Sequence, residues 1–192
     1  MKTGKAIQTE WNGRLFRSRL EARWAVYFES LGRPWVYEPE GYDLPSGRYL
    51  PDFWLPTNES EHPVAGYFCE IKPEEPSERE KALAMELFMA TSHRVLIVCG
   101  QPVEGKCWVW KIHGPIAWDD GRSTPPHWMR GHELDDDFVM SVNETRSFFP
   151  LFHTFHNAKG AKYDTVPPDG AVRRALRAAS TARFEHGEQP RL

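Results

Sequence analysis

Residues 49–56 read YLPDFWLP and residues 69–73 read CEIKP, and the way these two stretches pair decides the architecture of the chain. From Arg48 to Leu55 aromatics and leucine alternate with other residues, which is the period of a half-buried strand. Pro51 falls where a strand tolerates proline only at an edge, a bulge or an end. The second stretch closes a run from Ala65 to Ile71, AGYFCEI, that reads as a buried strand. Successive strand side chains point to opposite faces, so Glu70 and Lys72 share one face while Cys69 and Ile71 share the other. Burying an ammonium and a carboxylate in an apolar strand is costly without compensation, which places this pair at a cleft or beside an ion. If the two strands form a hairpin, the carboxylates of Asp52 and Glu70 converge and offer hard oxygen ligands suited to Mg²⁺.

Outward from this pair the signals alternate between helix and strand. Upstream, Ser18 and Glu21 have the spacing of a capping box, and Leu20, Trp24, Tyr27, Phe28 and Leu31 recur at helical intervals until Gly32 and Pro34. Trp35-Val36-Tyr37 reads as an opening strand, and residues 1–15, which carry no period, as an arm or short strand. Thr57 to Gly66 is polar loop. Downstream, Ser77 and Glu80 form a second capping box, followed by Leu83, Met85, Leu87, Met89 and Ala90 on a wide apolar stripe ending near Ser92. Arg94 to Cys99 then reads as a fully buried strand, which makes the helix a crossover. The order helix, strand, strand, strand, helix, strand predicts an α/β fold with a mixed central sheet flanked by helices.

Beyond residue 100 the pattern thins. Cys107 to Ile112 reads as a further strand, Gly114 to Asp137 has no period, and Phe138 to Phe155 is aromatic without a clear element. From Asp169, an N-cap candidate, Val172, Ala175, Leu176 and Ala179 occupy one helical face and Arg173, Arg174 and Arg177 the other. The expected organisation is a core over 1–99 and an irregular C-terminal extension over 100–192, packed on the same core, with Gly187 to Leu192 frayed.

Composition narrows the function. A chain of 192 residues allows one domain with an appendage, and 40% hydrophobic with 27% charged residues excludes collagen-like, coiled-coil and wholly disordered chains. The first residues have no apolar segment and the longest aliphatic run is VLIV at 95–98, so neither export nor membrane insertion is indicated. Three cysteines without CxxC spacing argue against a disulfide framework and fit a reducing cytoplasm. A net charge of −3 argues against coating nucleic acid non-specifically, while leaving room for a local basic face. His127 with His132, and His153 with His156, lack partners at usual zinc-ligand spacing.

Pro51-Asp52 followed across a hairpin by Glu70-Ile71-Lys72 resembles the PD-(D/E)XK nuclease superfamily, which has the restriction-endonuclease-like fold. The order of elements is similar to that family's core, and RSRLE at 17–21 to its helical glutamate position; the resemblance covers residue 16 to about 99, roughly half the chain. It implies Asp52 and Glu70 as metal-binding carboxylates, the Ile71 carbonyl as a further ligand, and Glu21 as a helix-borne acid completing the site. It implies that Lys72 orients or helps deprotonate the attacking water, aided if desolvation and the metal lower its pKa. The activity implied is hydrolysis of DNA phosphodiesters with Mg²⁺ or Mn²⁺ as cofactor, RNA being the alternative substrate. Arg17, Arg19 and Arg23 on the first helix and Arg173, Arg174 and Arg177 on the last are candidates for phosphate contacts. Cutting both strands of a duplex would call for a homodimer or a partner protein. The competing reading is a nuclease-like scaffold that binds nucleic acid or protein with little or no catalysis.

Overall fold

The computed structural model describes residues 6–56, 66–104, 106–113, 116–117, 123–132 and 171–184. In chain order the elements begin with β1 (Thr9–Trp11), β2 (Arg14–Phe16), α1 (Arg19–Ser30), β3 (Val36–Tyr37), β4 (Tyr42–Leu44), β5 (Gly47–Tyr49) and β6 (Phe53–Pro56). They continue with β7 (Gly66–Lys72), α2 (Glu78–Thr91), β8 (Arg94–Gly100), β9 (Cys107–His113), β10 (Ile116–Ala117), β11 (Ser123–Thr124), β12 (His127–His132) and α3 (Ala171–Thr181). Two compact units divide the chain, one built from Met1–Arg33, Gln101–Cys107 and His132–Leu192, the other from Pro34–Gly100 and Trp108–Gly131. No helix among the described residues is long and apolar enough to cross a membrane.

In the first unit β1 and β2 form an antiparallel hairpin. Its turn is Asn12-Gly13, with φ of 49° and 71°, the left-handed conformation that a two-residue hairpin turn requires. The expected arm is thus a hairpin. Helix α1 starts as the sequence indicated, with Ser18 as N-cap, its Oγ accepting the Glu21 amide. Trp24, Tyr27 and Phe28 are fully buried, with Trp24 edge-to-face on Tyr27 at 5.2 Å. Helix α3 packs on α1. It buries Val172, Ala175, Leu176 and Ala179 and leaves Arg173, Arg174 and Arg177 exposed, the division its periodicity predicted. Asp169, the aromatic run at 148–155, His153, His156 and the terminus from 187 lie outside the described residues.

The second unit is organised by a six-stranded sheet in the order β12-β9-β8-β7-β6-β3. It is mixed: β6 pairs antiparallel with both β3 and β7, and β7 pairs parallel with β8. Helix α2 is the crossover that the parallel pair needs. One face of the sheet, carrying Phe68, Val95, Ile97, Cys99 and Ile112, shares a core with Ala84 and Leu87 of α2 and Leu44 of β4. Only part of the expected apolar stripe on α2 is used. Met89 is 64% exposed and Ala90 is exposed, because the face meeting the sheet runs through Leu83, Ala84, Leu87 and Phe88.

The strand expected from Arg48 to Leu55 is two strands. Gly47–Tyr49 pairs with Tyr42–Leu44 in a separate hairpin, and the main sheet resumes at Phe53. The break falls at Leu50-Pro51-Asp52, where proline has no N–H to give a ladder and fixes its own φ. At the other end of the β6–β7 pair, a Cβ on Gly66 would run into the Trp54 ring and the Leu55 carbonyl, so glycine is required there. The short strands β10 and β11 and the edge strand β12 lie in the stretch to which the sequence assigned no element.

Candidate functional site

The site grows from the break before β6. The last ladder pair of β6 and β7 is Phe53 with Cys69, so one step further the register sets Asp52 opposite Glu70. Asp52 has left the strand, and its side chain completes what the backbone cannot: Oδ2 accepts the Ile71 amide at 2.7 Å. On its other side the Asp52 carbonyl accepts the Glu38 amide at 2.9 Å. Asp52 is therefore fixed by two neighbouring strands, and at 3% exposure it is a buried carboxylate held by a main-chain donor.

Glu70 and Lys72 stand on the α2-facing side of β7 near its C-terminal end. The Glu70 carboxylate is gripped at both oxygens: Oε2 accepts from the Tyr49 hydroxyl at 3.2 Å and Oε1 pairs with Lys72 Nζ at 2.9 Å. Lys72 Nζ also meets Glu80 Oε1 at 2.8 Å. Burial, then the nearby charges of Glu70 and Asp52, push the Tyr49 hydroxyl well above its ordinary pKa, which ties that hydroxyl electrostatically to both carboxylates. The same causes raise the Cys69 thiol and keep it uncharged on the opposite face.

The surroundings of Lys72 act on its charge in opposite directions. Burial does pull its pKa down, but the Glu70 carboxylate and the hydrogen bonds to Glu80 and Glu70 outweigh it, and the net shift is upward. Lys72 is a firmly protonated ammonium. Burial raises the Glu80 carboxyl, yet the hydrogen bonds from Lys72 and Ser77 bring it down to about 2.

The second unit thus brings together Asp52, Glu70 and Lys72. Ile71, expected to contribute its carbonyl, meets Asp52 through its amide. Glu21 belongs to the first unit, 7% exposed, where Oε1 accepts the Ser18 hydroxyl at 2.7 Å and Oε2 the Arg17 amide at 3.2 Å; these contacts are those of a helix cap. Also there, Arg23 Nη1 donates to Gln101 Oε1 at 2.8 Å, Arg17 is exposed and Arg19 half-buried. Arg173 lies 3.9 Å from Glu104, and with Arg174 and Arg177 it forms the exposed face of α3.

Two participants escaped the sequence reading. Tyr49 sits inside the quoted YLPDFWLP, but only the hairpin β4–β5 shows that its hydroxyl turns to Glu70. Glu80 was visible only as a capping residue. The signal available was the short turn from Lys72 to the N-cap Ser77, which returns the first helical turn toward the end of β7.

Among the described residues no group of three or more His, Cys, Asp and Glu side chains is placed to hold a metal ion. Mg²⁺ asks for less, since it usually takes one or two carboxylates and fills its remaining positions with water and substrate oxygens. Asp52 and Glu70 are the oxygen donors that the second unit offers for such an ion. Two carboxylates, those of Glu70 and Glu80, pair with the Lys72 ammonium, and Asp52 stands opposite Glu70 in the register. No family model matches the chain, and no curated protein matches it at a significant level.

Proposed function

We propose that this protein is a metal-dependent DNA endonuclease built on a restriction-endonuclease-like, PD-(D/E)XK core, with Asp52, Glu70 and Lys72 as its catalytic group. The observation that carries the reading is the convergence itself: a buried aspartate at a strand break, a glutamate opposite it in the register, and a lysine on the glutamate's own face. Asp52 and Glu70 would hold Mg²⁺ or Mn²⁺, which when bound supplies Lewis acidity toward a phosphate oxygen and a water. Lys72, protonated, would pair with a phosphate oxygen and donate a hydrogen bond to the attacking water, which makes it an orienting cation rather than the base. Tyr49 would keep the Glu70 carboxylate in place. The exposed arginines of α3 offer phosphate contacts that position a nucleic-acid backbone without reading sequence.

A second reading, a nuclease-like scaffold that binds without cutting, is favoured by one feature, the Lys72 ammonium already satisfied between two carboxylates. Incubation of supercoiled plasmid, linear duplex, single-stranded DNA and RNA with Mg²⁺, Mn²⁺ or EDTA separates the two. Cleavage of DNA that EDTA abolishes is the expected result. Binding of the same substrates with no cleavage in either metal would favour the scaffold, and cleavage of RNA alone would change the substrate.

A further inference from the structure

Glu80 has two partners on two different elements, and each takes a different oxygen. Oε2 accepts from the Ser77 amide at 2.8 Å and the Ser77 hydroxyl at 2.7 Å, which closes the capping box of α2. Oε1 lies 2.8 Å from Lys72 Nζ. Lysine is a flexible side chain with a single charged tip, and holding it in one place costs rotamer entropy that fixed partners must offset. Glu70, two residues away on the same strand, supplies one such partner. The other comes from a helix whose first turn is itself locked by the cap.

We infer that Glu80 is a positioning residue for Lys72: the Ser77 backbone amide holds the Glu80 carboxylate at the start of α2, and through it aims the Lys72 ammonium at the Asp52–Glu70 site. The inference rests on the catalytic reading of Lys72 for its functional meaning, but the contact it asserts is independent of that reading. Capping and aiming can be separated by substitution. Glu80→Gln keeps an amide oxygen for the Ser77 amide, as glutamine does in other capping boxes, but turns its NH₂ toward Lys72, so two donors face each other. Ser77→Ala does the reverse: it removes the hydroxyl half of the cap, while the Ser77 amide still holds the Glu80 carboxylate beside Lys72.

The test reads the side-chain ammonium of Lys72 by nitrogen-15 NMR, assigned with Lys72→Arg, alongside thermal unfolding and single-turnover cleavage. The expected result is a resolved Lys72 ammonium resonance in wild type and Ser77→Ala, lost in Glu80→Gln. Cleavage should fall by about tenfold or more in Glu80→Gln with substrate affinity unchanged, since small misplacements of a catalytic group carry penalties of that order. Ser77→Ala should instead lower Tm by about 2–4 °C with cleavage preserved. A Lys72 resonance that persists in Glu80→Gln, or that is missing in wild type, would overturn the inference. If wild type cuts nothing in any metal, the nuclease reading fails, while the ammonium spectrum still decides whether Glu80 holds Lys72.

Discussion

Lys72 and Lys111 lie in strands of one sheet, on opposite faces, and their protons are held in opposite ways. Lys111, in β9, is 7% exposed; burial, helped by the charge of Arg94, lowers its pKa to about 8. Lys72, in β7, feels burial too, but Glu70 and Glu80 reverse the effect and raise it. The same residue type in the same sheet therefore holds its proton more or less tightly according to the carboxylates on its face. The Lys72 face is where negative charge has been collected inside the fold, and that is the property a cation site requires.

The contrast is broken most directly by removing the lysines themselves. Lys72→Ala should reduce metal-dependent cleavage by about 10²–10³-fold, the range for loss of one preorganised electrostatic donor, whereas Lys111→Met should cleave at close to the wild-type rate. Equal losses in both would mean that the two faces do not differ in function. Asp52 at least matches this loss of activity and adds a cost in stability. Asp52→Ala removes a carboxylate and also leaves the buried Ile71 amide without its acceptor, so it should abolish cleavage and destabilise the fold by about 1–3 kcal/mol in urea unfolding. Asp52→Asn, which retains an acceptor oxygen, should lose cleavage but recover most of the stability.

A smaller effect sharpens the comparison through pH. Because the folded pKa of Lys111 is about 8 against an ordinary value of 10.5, the unfolded chain binds more protons between those values, and stability should rise with pH across that window. The Lys111 share is read as the part of the rise that Lys111→Met removes. Lys72 has the opposite sign: its contribution is present below its ordinary value and is lost only as pH climbs through its raised folded value. The smallest effect is at the acid end. With Glu80 lowered from 4.5 to about 2, its contribution is full above the ordinary value and is lost as pH falls through the folded one. Glu80→Gln should accordingly flatten the acid limb of the unfolding curve.

Much of this was legible in the sequence. The Ser-x-x-Glu spacing located both α1 and α2, the apolar run at 94–99 located the inner strand β8, and the arginine and apolar faces of α3 followed from its period. Glu70 and Lys72 could be put on one face by counting. What escaped depended on events outside such counting. Asn12-Gly13 was a hairpin signal left unread. The strand through Pro51 was broken because β5 pairs with β4 rather than with the main sheet, a choice between two ladders that alternation cannot reveal. The second carboxylate on Lys72 escaped for a similar reason, since it arrives from a helix that the strand's own sequence does not contain.

The central claim is that the Lys72 face of the sheet is a metal-dependent phosphodiesterase centre. Its most direct test is single-turnover cleavage of plasmid DNA by wild type and Lys72→Ala, purified side by side, with Mn²⁺ and with EDTA. The expected result is cleavage by wild type in Mn²⁺ alone. Cleavage by Lys72→Ala at the wild-type rate, or cutting by wild type that EDTA leaves intact, would contradict it.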